Sequence, residues 1–254
     1  MICNESVIKS KTNSAKGIYD IWVDCPKLAE EAKPGQFVDV KCDGFTLRRP
    51  ISICEIDVKN GGIRLVFEVR GEGTAWLAEK NAGDSVDLLG PLGNGFMLGN
   101  TDRPVVFVGG GIGVPPLLAA AQPFGIHATA IIGFRSASAV ILKEDFEAAN
   151  VKVTLCSDDG TAGFHGLVTV PLRERLDAAP CSAVFACGPM PMLKAVAQLC
   201  ADKGIDCYIS MEERMACGVG ACLSCACKVK SEGREKYLHV CKNGPIFNAK
   251  QVVF

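Results

Sequence analysis

Short runs rich in Val, Ile, Phe and Trp, at 17–24, 36–42, 49–55 and 63–70, fill the first hundred residues. Turn signals separate them: Pro34-Gly35, Asn60-Gly61-Gly62 and Asn81-Ala82-Gly83-Asp84. Evenly spaced short strands of this kind predict an antiparallel β-barrel or sandwich. One short helix is expected within it, at 74–80. From 104 the rhythm changes. Apolar runs at 105–108, 128–132, 151–155, 183–186 and 207–209 alternate with helical segments at 115–121, 143–149, 169–176 and 190–203. Continuous apolar strands alternating with helices predict an α/β domain whose parallel sheet is covered on both faces. From Met211 onward the chain is Cys-rich and loop-like. That segment is too small to hold its own core, so a metal centre is its natural staple. The expected organisation is multidomain: a β-barrel over 1–100, an α/β domain over 101–209 and a small module over 210–254.

Charge narrows the choice of partner. Lys plus Arg is 27 and Asp plus Glu is 28, for a net charge of −1. That balance argues against nucleic acid or anionic membrane as the main partner, since both call for a basic surface. The uncharged stretch 104–124 has the length of a membrane span. Gly109, Gly110, Gly111, Gly113, Pro115 and Pro116 interrupt it, and it reads instead as a buried strand, a glycine turn and a helix. Met1 is followed within a few residues by Asn4 and Glu5, with no apolar leader. A soluble cytoplasmic protein is expected. The 14 cysteines cluster toward one end. In a reducing cytosol such a cluster points to metal or redox chemistry rather than to a disulfide framework.

Three constellations carry the chemistry. Cys217, Cys222 and Cys225 follow a C-x4-C-x2-C pattern, with Cys241 downstream, which is the spacing of plant-type [2Fe–2S] proteins. Gly218 and Gly220 would let the loop wrap closely and aim backbone N–H groups at the sulfurs. Zinc is the competing metal, although it usually takes paired C-x2-C units. Cys227 competes for the fourth position; two residues after Cys225 on an extended strand, it is awkwardly placed, which favours Cys241. Gly109, Gly110, Gly111, Ile112 and Gly113 follow the strand at 105–108 and precede Pro115 and Pro116. Glycines there let a backbone approach a pyrophosphate, and the next helix N-terminus attracts its charge. Cys187, Gly188, Pro189 and Met190 end a later strand at the same carboxyl edge. Finally, Arg49, Pro50, Ile51 and Ser52 offer a bidentate phosphate clamp and a hydroxyl, while Gly73 and Thr74 open a helix.

A barrel bearing R-P-x-S and G-T, then a parallel domain bearing G-G-G-I-G-x-P-P and C-G-P, resembles the ferredoxin–NADP reductase superfamily. With the cysteine loop and the ending Cys241-Lys242-Asn243-Gly244-Pro245-Ile246-Phe247, the chain resembles the electron-transfer subunits of class 1B dihydroorotate dehydrogenases over essentially its full length. The resemblance implies FAD, a [2Fe–2S] cluster and NAD as cofactors. It implies an FMN-containing dihydroorotate dehydrogenase catalytic subunit as partner, in a heterotetramer of two of each, acting in pyrimidine (UMP) biosynthesis. It assigns Arg49, Pro50, Ile51, Ser52, Val66, Phe67, Glu68, Gly73 and Thr74 to the flavin. The turn Gly109–Gly113 and Cys187, Gly188, Pro189 and Met190 go to the nicotinamide dinucleotide. Cys217, Cys222, Cys225 and Cys241 go to the cluster. Ile51 departs from the wider superfamily, where a tyrosine often stacks on the flavin.

Electron counting supports the same order. NAD exchanges two electrons as a hydride, an iron–sulfur cluster takes one, and a flavin does both, so the flavin belongs between them. No catalytic acid–base pair is needed, and His127, His165 and His239 are scattered. Two alternatives stay open on the sequence. One is a flavin and iron–sulfur subunit of another complex, of the ferredoxin–NADP reductase, sulfite reductase or hydrogenase type. The other is a zinc-stabilised nucleotide-binding module without redox turnover. Arg135, after the second parallel strand, leaves NADP open as well.

Overall fold

A computed structural model describes residues 2–231 and 233–254. Six strands close an antiparallel barrel: β1 (Ile2–Ala15), β2 (Ile18–Asp24), β3 (Phe37–Lys41), β4 (Arg49–Asp57), β5 (Gly62–Glu68) and β6 (Ser85–Leu92), in the order β1-β2-β5-β4-β3-β6. Closure leaves no open sheet edge. Alternation does the sorting: Val38 and Val40 of β3, Ile51 and Ile53 of β4 and Leu65 and Phe67 of β5 fill the barrel core. Helix α1 (Pro26–Glu31) tucks Leu28 and Ala29 into that core.

Helix α2 (Glu72–Glu79) begins two residues before the expected start. The cause is Thr74, whose Oγ1 accepts hydrogen bonds from the N–H groups of Arg70 (3.0 Å) and Gly71 (3.2 Å) and so caps an earlier turn.

The second domain is a seven-stranded sheet built from β7 (Val105–Gly110), β8 (Ala128–Phe134), β9 (Lys152–Ser157), β10 (Phe164–His165), β11 (Ala183–Cys187), β12 (Asp206–Ser210) and a late strand from the C-terminal segment. The order β10-β9-β8-β7-β11-β12 is parallel throughout. Helices α3 (Pro115–Ala121), α4 (Lys143–Ala148), α5 (Thr169–Ala178) and α6 (Met190–Asp202) connect these strands. Separate apolar clusters lie on the two faces of the sheet, one around Phe107, Phe124 and Phe185, the other around Val106, Val184 and Leu193. None of the described helices is long and apolar enough to cross a membrane.

The C-terminal segment is more ordered than the loop its composition predicts. It forms a hairpin of β13 (Ala226–Ser231) and β14 (Arg234–His239), a short helix α7 (Val240–Asn243) and β15 (Ile246–Asn248). β15 pairs antiparallel with β12 and completes the seven-stranded sheet. The tail also clasps the barrel. Asn94 N–H donates to Gly244 O (2.6 Å), and Asn94 Nδ2 donates to the carbonyls of Lys242 and Asn243 (both 3.1 Å). On the far side, Arg64 ties barrel to α/β domain: its guanidinium binds Asp20 and Glu55 within the barrel and Asp145 on α4.

Candidate functional site

The barrel, the sheet edge and the cysteine segment converge on a cavity of about 230 Å³. That is room for a planar ring system, though not for a whole dinucleotide. Pro50, Ile51 and Ser52 of β4 and Val66, Phe67 and Glu68 of β5 form its barrel wall. Phe67 turns its ring into the barrel core and stacks on Tyr19, centroids 5.9 Å apart, so its backbone faces the cavity. Ile112 enters from the glycine turn, and Ser210, Met211, Glu212, Glu213 and Met215 enter from the segment leaving β12. Pro245 is fixed there because Met211 N–H donates to its carbonyl at 2.8 Å. The sequence motifs alone miss Phe37, Arg70, Ser210, Met211, Glu212, Glu213, Met215 and Pro245, which line the same cavity. They come from separate stretches of chain, and only the tail Cys241–Phe247 gave any signal.

Arg49 leaves β4 and crosses α2. A Cβ built on Gly73 would lie 2.2 Å from Arg49 Nε, so glycine is what lets the guanidinium settle over the first turn of the helix. The guanidinium also sits 5.1 Å from the Phe45 ring centre, and its Nη1 donates to Leu47 O at 2.5 Å. A cation and a helix N-terminus together suit a phosphate. Above them, Arg70 pairs with Glu68 at 2.7 Å. Glu212, on the opposite wall, has its carboxyl pushed up by desolvation, with Arg70 opposing.

The two turns at the sheet's carboxyl edge meet backbone to backbone. A Cβ on Gly113 would lie 2.5 Å from Cys187 O and 2.6 Å from Gly188 Cα. One on Gly110 would strike Met192 Sδ and Pro189 Cδ. Gly111, at φ +53, has nothing within 4 Å and faces open space. Pro189 caps α6 and Met190 opens it, partly exposed. The Cys187 thiol is fully buried. Burial first, then Glu212, push it up to about 12, against a hydrogen bond with Ser210. Cys187 is therefore a neutral thiol at working pH, and no thiolate nucleophile stands here.

The four cysteines form two pairs. Cys217 and Cys222 face one another across the loop. Cys225 Sγ and Cys241 Sγ lie 3.2 Å apart. Ala221 and Cys222 aim their N–H groups at Cys217 Sγ (3.2 and 3.4 Å), and Cys241 N–H points at Cys225 Sγ (3.4 Å). Ser224 is the main cause that lowers the Cys222 thiol to about 6, helped by Cys217. Burial and then Cys225 raise Cys241 to about 12. Among the described residues no three ligating side chains close on one point. Zinc needs four ligands at once, whereas a dinuclear iron centre takes two on each iron. The two-plus-two donor set, with N–H groups aimed at sulfur, fits the latter. Cys227 stands apart on β13, paired with Leu238 and buried in the core. Cys225 and Cys241 are buried, Cys222 is exposed, and Val219 and Leu223 on the same loop are 39% and 61% exposed.

A family model described as the iron–sulfur cluster binding domain of dihydroorotate dehydrogenase B matches residues 212–253. The chain is 41% identical to the dihydroorotate dehydrogenase B (NAD(+)) electron transfer subunit of Geobacillus kaustophilus, over 97% of this chain and 96% of that one. It is 40% identical, with the same coverage, to the subunit of the same name from Bacillus caldolyticus. Among solved structures, a chain of the NADH-dependent reduced ferredoxin–NADP oxidoreductase superposes with a TM-score of 0.87 at 28% identity, covering 98% of this chain and 89% of that one. The Amycolatopsis cytochrome P450 reductase shares the fold, at a TM-score of 0.66 and 19% identity, over 78% of this chain and 65% of its own. With a flavin-sized cavity, a nucleotide-type glycine turn and a paired cysteine loop on one frame, and relatives alike over nearly its whole length, this chain belongs to the family of dihydroorotate dehydrogenase B electron transfer subunits.

Proposed function

We propose that the chain passes electrons between an FMN-containing dihydroorotate dehydrogenase catalytic subunit and NAD. The flavin ring of FAD would lie in the central cavity with its phosphates reaching toward Arg49, and a [2Fe–2S] cluster would lie between Cys217, Cys222, Cys225 and Cys241. The observation that carries this reading is convergence: the β4 string, the glycine turn and the residues leading into the cysteine loop line one cavity. Residues 1–100 then form the flavin domain, 101–209 the NAD domain and 210–254 the cluster module, with β15 returning to the NAD sheet. The working assembly is two of these chains with two catalytic subunits.

Bound FAD supplies what no side chain here can, exchange of a hydride on one side and of single electrons on the other. The protein's part is positional. Arg49 and the first turn of α2 would hold phosphate charge, while Pro50, Ile51, Ser52 and Val66 would hold the ring. Gly109, Gly110, Gly111, Ile112 and Gly113, with the Cys187–Met190 turn, would seat the nicotinamide dinucleotide against it. Cys187, neutral and buried, offers a packing wall that does not react. The exposed Cys222 edge, flanked by Val219 and Leu223, would be the port to the partner.

Arg49→Ala should weaken FAD binding by about 1.5–3 kcal/mol, the value of a hydrogen bond to a charged group. FAD content after extensive dialysis reads this out, and unchanged content would count against a phosphate role. The whole reading is tested by reconstitution. The isolated FAD- and iron-loaded chain should reduce a dye with NADH yet leave dihydroorotate untouched. Adding an FMN-containing catalytic subunit should create NADH formation from dihydroorotate; a mixture that forms none would sink the proposal.

A further inference from the structure

Asp39 stands on the outer face of the barrel, since its neighbours Val38 and Val40 turn into the core. Outward acidic residues on such strands ordinarily meet water. Asp39 is only 2% exposed. The cysteine loop covers it: a Cβ built on Gly218 would lie 2.1 Å from Asp39 Oδ2. The carboxylate thus fills the space that a side chain directly after Cys217 would take. Asp39 Oδ1 has no hydrogen-bond partner among the described residues. The nearest cation is Arg48, whose Nη1 donates to the Asp39 carbonyl at 3.2 Å. Its fork is engaged with Asp87 at 2.9 and 3.1 Å, so Arg48 offsets the Asp39 charge only in part. Burial raises the Asp39 carboxyl to about 6, with Arg48 opposing. A buried carboxylate with an unpartnered oxygen is costly to the fold, and groups perturbed in this way gather at functional sites.

We infer that Asp39 is a positioning residue for the cluster, whose carboxylate packs against the Cys217–Gly218 turn and lowers the cluster's reduction potential. The inference rests on the assignment of Cys217, Cys222, Cys225 and Cys241 as ligands. Reduction adds one negative charge to an iron–sulfur centre. A fixed negative charge in a poorly solvated interior opposes that addition, and net charge near the cluster is one of the levers that set its potential. Asp39 therefore makes the reduced cluster a stronger donor to whatever accepts its electron.

The test is a redox titration of the cluster at about pH 8, followed by electron paramagnetic resonance. Asp39→Asn keeps the shape and removes the charge. The expected result is a retained cluster with a more positive midpoint. Asp39→Ser, which also gives up the contact with Gly218, should shift the midpoint in the same direction. An unchanged or more negative midpoint in a cluster-bearing variant overturns the inference. Loss of the cluster from both variants overturns it too, because Asp39 would then be a structural prop. A wild-type chain without any cluster signal would instead defeat the ligand assignment itself.

Discussion

Cys222→Ser should strip most of the iron, keep FAD and reduce NADH formation from dihydroorotate to background in the reconstituted complex. The exposed Cys222 is one half of the outer sulfur pair, and a serine hydroxyl at that place stays protonated where a thiolate is needed. The flavin wall survives because β4 and β5 are held by the barrel's own core, including Ile53, Ile63 and Leu65. NADH-to-dye turnover should therefore persist in the variant while transfer to the partner fails. Cys227→Ser is the matched control. Its sulfur belongs to the packed core beneath the loop and is absent from both sulfur pairs, so iron should stay. Iron analysis, the visible spectrum and steady-state NADH formation are the measurements. A cluster-less chain that still holds FAD, still binds its partner and supports the full rate would reduce the cluster to a structural role. Iron lost with Cys227→Ser yet retained with Cys241→Ser would reverse the assignment of the fourth ligand.

The legible parts of this chain are those where local pattern and tertiary role coincide. β3, β4 and β5 carry β-branched and aromatic residues, and the apolar runs of β7, β8 and β11 are buried on both faces as parallel strands should be. β1 escaped because its second half, Lys9 to Ser14, is polar; that half is held by pairing with β2 rather than by burial. β15 escaped because three residues carry no period, and only the waiting edge of β12 makes them a strand. At the site, ligand-type cysteines and phosphate-type glycines were visible because their chemistry demands fixed spacing. The residues of the far cavity wall were not. Ser210, Met211 and Met215 belong to an unremarkable segment until β12 delivers it to the cleft. Asp39 was the least visible of all, since an acidic residue on the outer face of an alternating strand is expected in water. Its role depends on a loop almost 180 residues away in sequence, and burial alone reveals it.

Gly113→Ala should separate nucleotide binding from flavin binding, with the larger loss at NADH. Gly113 follows the strand end β7 and lies against the Cys187–Gly188 turn. Its missing side chain would overlap three backbone atoms at 2.5–2.6 Å, Cys187 O, Cys187 C and Gly188 Cα. Backbone atoms cannot swing aside as a flexible side chain can, so the two turns must part. Overpacking of this kind costs about 1–3 kcal/mol. The strain falls on the seam between β7 and β11, where Cys187 pairs with Gly109 in parallel register. That seam is where the nicotinamide dinucleotide would sit, at the carboxyl ends of the strands. A loss of 1.4 kcal/mol in binding is tenfold in affinity, so the dissociation constant for NADH should rise by roughly that factor or more. The flavin contacts Ile51, Ser52 and Phe67 lie across the cavity on strands closed into the barrel, with Ile51 and Phe67 packed in the barrel's own core, so FAD content and the cluster spectrum should stay near wild-type levels. Rapid-mixing reduction of bound FAD as a function of NADH concentration measures the effect directly, and a lowered melting temperature should accompany it. Wild-type NADH affinity in a well-folded Gly113→Ala chain would show that the glycine turn serves packing only and would move the nucleotide site elsewhere.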